Sequence, residues 1–478
     1  MKTAHKVNRV LAFSCLAFSL AAFAQTPIKQ TPPAKPTAPA SATGTTVIRG
    51  GKLLTMTHGV IENGVIVLEN GKITAIGIAG SASIPPKANV IDATGMTVYP
   101  GLIDSFTHLG ITEISAVEMS NDLVEASDEI MPHMSVADAF HAESEVIPVT
   151  RINGITNAIV APSSRDTLPG QMSFIQLDGA SADEMLLVRD IAMGLYFTGD
   201  QRRNESFEKA KFPFTRMGMA AQLRQAFIDA QDYAQKWADY DKKRASGEAK
   251  PDAGKTASAK SGSAAKADSK DDGKKSEKAT PPKRDLKLES LQPYLQGKKP
   301  VVLTAEEPND VKVAMALARE FKLKVILSGL VYSHRILDEI AASKLPVILG
   351  SIYTTPKNNA RYDSEYSFPA ELQKRGVKIA FASYDSHQAR NLPYAAGYAV
   401  AYGLPYEEAL KALTLYPAQI WGLDSQLGSL DVGKTANVVV ANGDPLDVKT
   451  DVKHVFIAGR EIPLVSRQTQ LRDAYSQR

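Results

Sequence analysis

Cysteine is almost missing from this chain: Cys15 is the only one in 478 residues. It sits in an apolar N-terminal run, so a chain trimmed of that run keeps no thiol. That excludes disulfide staples and thiolate chemistry, and it suits an oxidising compartment. No apolar stretch beyond the N-terminus is long enough to read as a membrane helix. A surplus of one charge is missing too. The net charge of +3 comes from two segments: residues 1–24 carry three cations, and residues 241–284 hold 13 Lys/Arg against 7 Asp/Glu. Setting both aside (3 − 3 − 6) leaves a net −6 for the remainder, which excludes a basic nucleic-acid surface.

The N-terminus reads as a targeting segment. Lys2, Lys6 and Arg9 precede an apolar run from Val10 to Ala24 that ends in Ala22-Phe23-Ala24. This basic, apolar, small-x-small order predicts a secretory signal peptide over 1–24, cleaved near Ala24, and a periplasmic or secreted product. Phe13 spoils a lipoprotein box around Cys15, which is read as discarded with the signal. Residues 25–44, mostly Pro, Ala, Thr and Gln, predict a linker.

From 45 to 98 the pattern is β-rich. Val65–Leu68 and Lys72–Gly77 flank Asn70-Gly71, a strong hairpin signal. From Tyr99 to residue 425, strands alternate with helical stretches, the sign of a parallel sheet. Strands are expected at Thr156–Val160, Phe174–Gly179, Pro300–Leu303, Lys324–Leu327, Pro346–Leu349 and Val377–Phe381. Helices are expected at Ser135–Phe140, from Thr215 to about Tyr240, and at Pro308–Phe321, Ser333–Ala342 and Pro393–Trp421. Residues 241–286 are a Lys/Ala/Ser/Asp run without an apolar face, so disorder is expected there. Residues 426–466 return to β and need a partner, which the N-terminal block supplies. The fold class is therefore α/β: a TIM-like (β/α)₈ barrel plus a composite small β-sandwich built from both ends of the chain.

One stretch organises the rest: Tyr99-Pro100-Gly101-Leu102-Ile103-Asp104-Ser105-Phe106-Thr107-His108. A buried strand that delivers ionisable groups at its C-terminal end is how such a barrel builds an active site. Pro-Gly-Leu-Ile-Asp before a His-x-His position resembles the first-strand signature of the amidohydrolase superfamily. The closing phrases Gly-Ser-Leu-x-x-Gly-Lys-x-Ala-Asn (Gly428–Asn437) and Gly443-Asp444-Pro445-Leu446 resemble its C-terminal strands. Thr215–Gly218 and Arg390–Tyr394 are similar to phrases of the imidazolonepropionase-like branch.

The resemblance implies a hydrolase of carbon–nitrogen bonds other than peptide bonds, acting on a small molecule with one or two divalent ions. Carried over position by position, the implied ligand set is thin. Phe106 replaces one first-strand His, and His108 matches the other. Leu195 aligns near the fourth strand, Thr304–Glu307 follows the fifth, and Ser328 stands where the sixth expects His. Asp385 matches the eighth as metal ligand and proton shuttle. The expected cofactor is at most one zinc-like ion on His108 and Asp385, with Glu306, Glu307 or His387 as additional candidates. Two ligands do not hold a catalytic zinc, which typically takes three from the protein. Two functions compete: a secreted hydrolase with a thinned site, and an inactive barrel serving as the binding subunit of an active paralogue or as a homo-oligomer. A metal-free acid–base hydrolase on Asp385 and Glu306 ranks third.

Overall fold

The computed structural model describes residues 44–80, 85–125, 127–198, 212–246, 279–357 and 360–476. The expected signal peptide and linker lie outside the described residues, as does 247–278 of the expected insertion. On the N-terminal side of that gap the helix Arg216–Ala245, capped by Thr215 Oγ1 on Gly218 N, runs further than the sequence suggests. Beyond the gap the helix Leu286–Leu295 starts from an Asp285 cap.

The first sheet takes strands from both ends of the chain. β1 (Thr46–Leu54), β2 (Val60–Glu69), β3 (Lys72–Ile78), β4 (Asn89–Asp92) and β5 (Thr97–Pro100) come from the N-terminal side. Their continuation is β14 (Val438–Ala441), β15 (Val452–Ile457) and β16 (Arg460–Ile462). The order is β16-β15-β14-β5-β1-β2-β3, with β4 beside β1. The two blocks therefore meet edge to edge, through β14 on β5, in one continuous ladder. Asn70 and Gly71 both have positive φ, 51° and 77°, as a two-residue hairpin between twisted strands requires. One face buries Ile48, Leu53, Ile66, Val98, Val438 and Phe456. The opposite face presents Tyr99, Val439 and Ile457 to the barrel core.

The second sheet is the barrel: β6 (Leu102–Thr107), β7 (Ile155–Val160), β8 (Gln171–Gln176), β9 (Leu186–Tyr196), β10 (Val301–Ala305), β11 (Val325–Gly329), β12 (Val347–Leu349) and β13 (Ile379–Ala380), in sequential order. Backbone bonds from Ser105 N to Phe381 O and Tyr384 N to Phe106 O join the last strand region to the first. Ile103, Ile159, Val302, Ile326 and Ile348, from five strands, pack into one cluster, which only the barrel interior can bring together.

The expectation of an all-parallel barrel fails at one strand. β8 runs antiparallel to both β7 and β9, while every other neighbouring pair is parallel. Residues 161–170 are too few for the crossover that a parallel partner needs, and they hold no helix. The stretch Ser135–Phe140 likewise yields only a 3₁₀ turn at Val136–Asp138.

The Pro-Gly pair of the organising stretch is the corner between the two sheets. A Cβ on Gly101 would collide with the Thr156 side chain. Glycine is thus required by close approach rather than by its backbone angles.

Candidate functional site

β6 is buried along its whole length, Leu102 to Thr107, and ends at the barrel mouth. Asp104 is fully buried. Its Oδ1 accepts from the backbone N–H groups of Phe106 (3.2 Å) and Ser383 (3.0 Å), so the side chain stitches β6 to the end of the last strand. Its Oδ2 has no hydrogen-bond partner. Burial raises this carboxyl to about 7, opposed by the Ser383 side chain and the two backbone N–H groups and helped slightly by the Asp385 charge.

His108 follows the strand. Its Nδ1 lies 2.8 Å from the Ala161 carbonyl oxygen, which can only accept, so Nδ1 carries the proton and Nε2 the lone pair. Burial lowers the affinity of the ring for a second proton, while the Ala161 carbonyl and the Asp385 charge oppose that shift. Asp385 sits in the turn beyond β13. Its carbonyl accepts from Thr107 Oγ1 (2.7 Å) and Ser383 Oγ (2.9 Å), and its Oδ1 accepts from Gln388 N (2.8 Å). The structure thus brings the Asp385 charge within electrostatic reach of His108.

Between these groups and the interior lies an aromatic cluster. The Phe106 ring is buried and stacks on Tyr384, with centroids 4.4 Å apart and planes at 19°. It meets His108 and Tyr196 edge-on at 5.8 and 6.4 Å. The Tyr384 hydroxyl lies 2.6 Å from Ser328 Oγ, accepts from Gly329 N (3.0 Å) and reaches the Ile348 carbonyl (3.3 Å). Ser328 stands at the sixth-strand position, so this phenol sits directly on it.

The fourth-strand assignment needs correction. Leu195 packs in the outer core, and its neighbour Tyr196 faces inward with Phe106. Tyr196 is in register with Thr304, and Thr304 with Ser328, which makes a neutral row across β9, β10 and β11. Thr304 Oγ1 is buried without a partner. Tyr196, Thr304 and Tyr384 are thus site residues that sequence reasoning did not single out.

Glu306 lies two residues beyond Thr304, and its carbonyl accepts from Ser333 Oγ (2.8 Å). Glu307 pairs with Lys357 at 3.9 Å, and His387 Nδ1 lies 3.0 Å from Ser386 Oγ. His141 pairs with Asp122 on the surface, while His133 Nδ1 is buried without a partner. Among the described residues no three His, Cys, Asp or Glu side chains group closely enough to hold a metal ion. These residues therefore do not fit a three-ligand catalytic metal. No helix among them is long and apolar enough to cross a membrane.

Comparisons with known proteins agree with this architecture. The amidohydrolase family model matches residues 97–462. Amidohydrolase tasK of Hapsidospora irregularis is 24% identical over 419 residues, which cover 83% of this chain and 39% of that protein. The chain thus spans about two-fifths of that relative's length. Imidazolonepropionase of Bacillus cereus is 44% identical over 78 residues, 14% of this chain and 18% of that protein. The crystal structure of an amidohydrolase from Thermotoga maritima MSB8 superposes with a TM-score of 0.74 at 26% identity, covering 88% of this chain and all of that one. With a family match over most of its length, a TIM-like barrel and a β-rich domain drawn from both ends, the chain belongs to the amidohydrolase family.

Proposed function

We propose that this chain is a hydrolase of carbon–nitrogen bonds other than peptide bonds, acting on a small molecule at the barrel mouth with His108 and Asp385 as its working groups. The observation that carries the proposal is the anchored imidazole. Nδ1–H donates to the Ala161 carbonyl, which leaves Nε2 as a neutral proton acceptor. Such a ring can take a proton from water as it attacks a carbonyl-type carbon and return it to the leaving nitrogen. The Asp385 carboxylate stabilises the imidazolium formed between those steps. No step runs through a metal, because the ligand set around the mouth is incomplete. A screen over cyclic amides, N-acyl compounds and amidines, with and without chelator, tests the reading. His108→Ala should lower kcat/KM at least ~100-fold, and Asp385→Asn should lower kcat. Hydrolysis untouched by either substitution would overturn it.

A second reading rests on a specific observation: Phe106 and Ser328 replace family ligands, and Tyr384 packs against both. On that reading the barrel is a binding subunit, paired with an active paralogue or with its own copies. It gains support if the screen finds ligands but no turnover, and if the native mass exceeds one chain. We further propose export, with cleavage near Ala24. Support comes from the order Lys2, Lys6, Arg9, apolar run, Ala22-Phe23-Ala24. N-terminal sequencing of the chain recovered from its cells checks this.

A further inference from the structure

We propose that Tyr384 is a side-chain clasp that holds the barrel mouth closed where family members use a metal. A metal at such a mouth does two things. It supplies chemistry, and it ties together strands far apart in sequence. Here the second task has another owner.

Tyr384 reaches three other strands of the barrel at once. Its backbone N–H donates to the Phe106 carbonyl at 2.9 Å, closing the sheet between its last strand region and its first. Its ring stacks on Phe106 of β6. Its hydroxyl contacts Ser328 Oγ and Gly329 N of β11 and the Ile348 carbonyl of β12. The three hydroxyl contacts are mutually satisfied when Ser328 Oγ–H and Gly329 N–H donate to the phenol oxygen and the phenol proton goes to Ile348. Burial pushes the phenol far above its ordinary pKa, so it stays a neutral donor and acceptor.

Two further observations separate this from ordinary packing. Tyr384 has φ +53°, a left-handed backbone that a bulky residue adopts only when its surroundings impose it. The residues beneath the phenol are also the ones that differ from the family pattern. Phe106 offers a flat face where an imidazole would stand, and Ser328 offers a short hydroxyl that leaves room for the phenol. Histidine at 328 would run into the Tyr384 hydroxyl, which lies 2.6 Å from Ser328 Oγ. The aromatic stack and the Ser328 hydroxyl thus form one co-adapted unit.

The experiment uses the mature chain purified without added metal. Thermal melts are recorded in EDTA, in 0.1 mM zinc and in 0.1 mM manganese. The clasp predicts a melting temperature that is the same within about 1 °C in all three, because no cation adds to the cross-link. Tyr384→Phe keeps the stack and removes three hydroxyl contacts, and should lower the melting temperature by about 2 °C in every buffer. Two variants then read metal uptake directly. Phe106→His with Ser328→His should fail to retain zinc through gel filtration. Adding Tyr384→Ala to that pair should allow about one zinc per chain to be retained. A wild-type melt raised several degrees by zinc or manganese would overturn the proposal. So would a Tyr384→Phe variant as stable as wild type. A Tyr384→Phe variant as stable as wild type leaves hydrolysis by His108 untouched, so failure of the clasp and failure of the functional reading are told apart.

Discussion

The two ends of the barrel differ in how their buried side-chain amides and carboxyls are held. At the face against the β-domain, the amides form a closed network. Asn437, the last residue of the Gly-Lys-x-Ala-Asn phrase, donates through Nδ2 to Asn157 Oδ1 (2.7 Å) and accepts through Oδ1 from Ala458 N (2.8 Å). Asn157 Oδ1 also accepts from Thr156 Oγ1 (3.0 Å), and its Nδ2 donates to the Ile175 carbonyl (3.2 Å). The Asn437 carbonyl accepts from Gly101 N (2.9 Å), at the corner where the chain passes from one sheet to the other. At the mouth, by contrast, Asp104 Oδ2, Ser105 Oγ and Thr304 Oγ1 are buried without partners. A satisfied network specifies a junction, and unsatisfied groups cost stability unless something else uses them. We read the family's framework as retained at the β-domain end, with the departures from its pattern gathered at the mouth.

This contrast can be broken or sharpened by mutation. The largest effect is expected at the junction. Asn437→Ala strands Ala458 N and removes a partner of Asn157, and should cost about 3 kcal/mol in urea unfolding. A cost below ~1 kcal/mol would mean the junction is not what couples the two sheets.

Next comes Asp104. Its folded pKa, about 7, stands above the unfolded value near 3.8. The stabilising contribution of its proton is full below about pH 4 and is lost as the pH rises through 7. Asp104→Asn keeps a neutral acceptor for the two N–H groups. Relative to wild type it should therefore gain on the order of 2 kcal/mol between pH 5 and pH 8. A pH-independent difference would show that the carboxyl is ordinary.

The smallest effect is Thr304→Val, a near-isosteric change that removes an unpartnered hydroxyl. It should shift stability by less than about 1 kcal/mol, in the stabilising direction. A loss of 2 kcal/mol or more would show that the hydroxyl has a partner.

Much of the framework was legible in the sequence because it rests on local signals. Asn70-Gly71 marks its hairpin through backbone angles. The Thr215 cap opens the long helix where the pattern says it should. The reversed strand β8 was not legible: its short apolar run reads the same in either direction, and only the helix-free loop 161–170 hints at the turn-back. Phase was the other failure. Leu195 and Tyr196 are neighbours in an apolar strand, and which one points inward depends on pairing with Thr304 across the sheet.

The mouth was legible as a loss and illegible as a replacement. Phe106 and Ser328 stand out against the family pattern in the sequence. Their common partner Tyr384 does not, because 56 residues separate it from Ser328 and the contact exists only in the closed barrel. His108 and Asp385 stand out in the sequence because each follows a strand phrase that resembles the family's.

The central claim is that the scaffold persists while most ion-gripping positions carry groups that cannot grip. Elemental analysis of the mature chain, purified from medium supplemented with zinc and manganese and passed through gel filtration, tests it most directly. The account predicts well under one retained ion per chain, with the fold and melting temperature intact. Two ions per chain, removed by chelation together with hydrolytic activity, would contradict it.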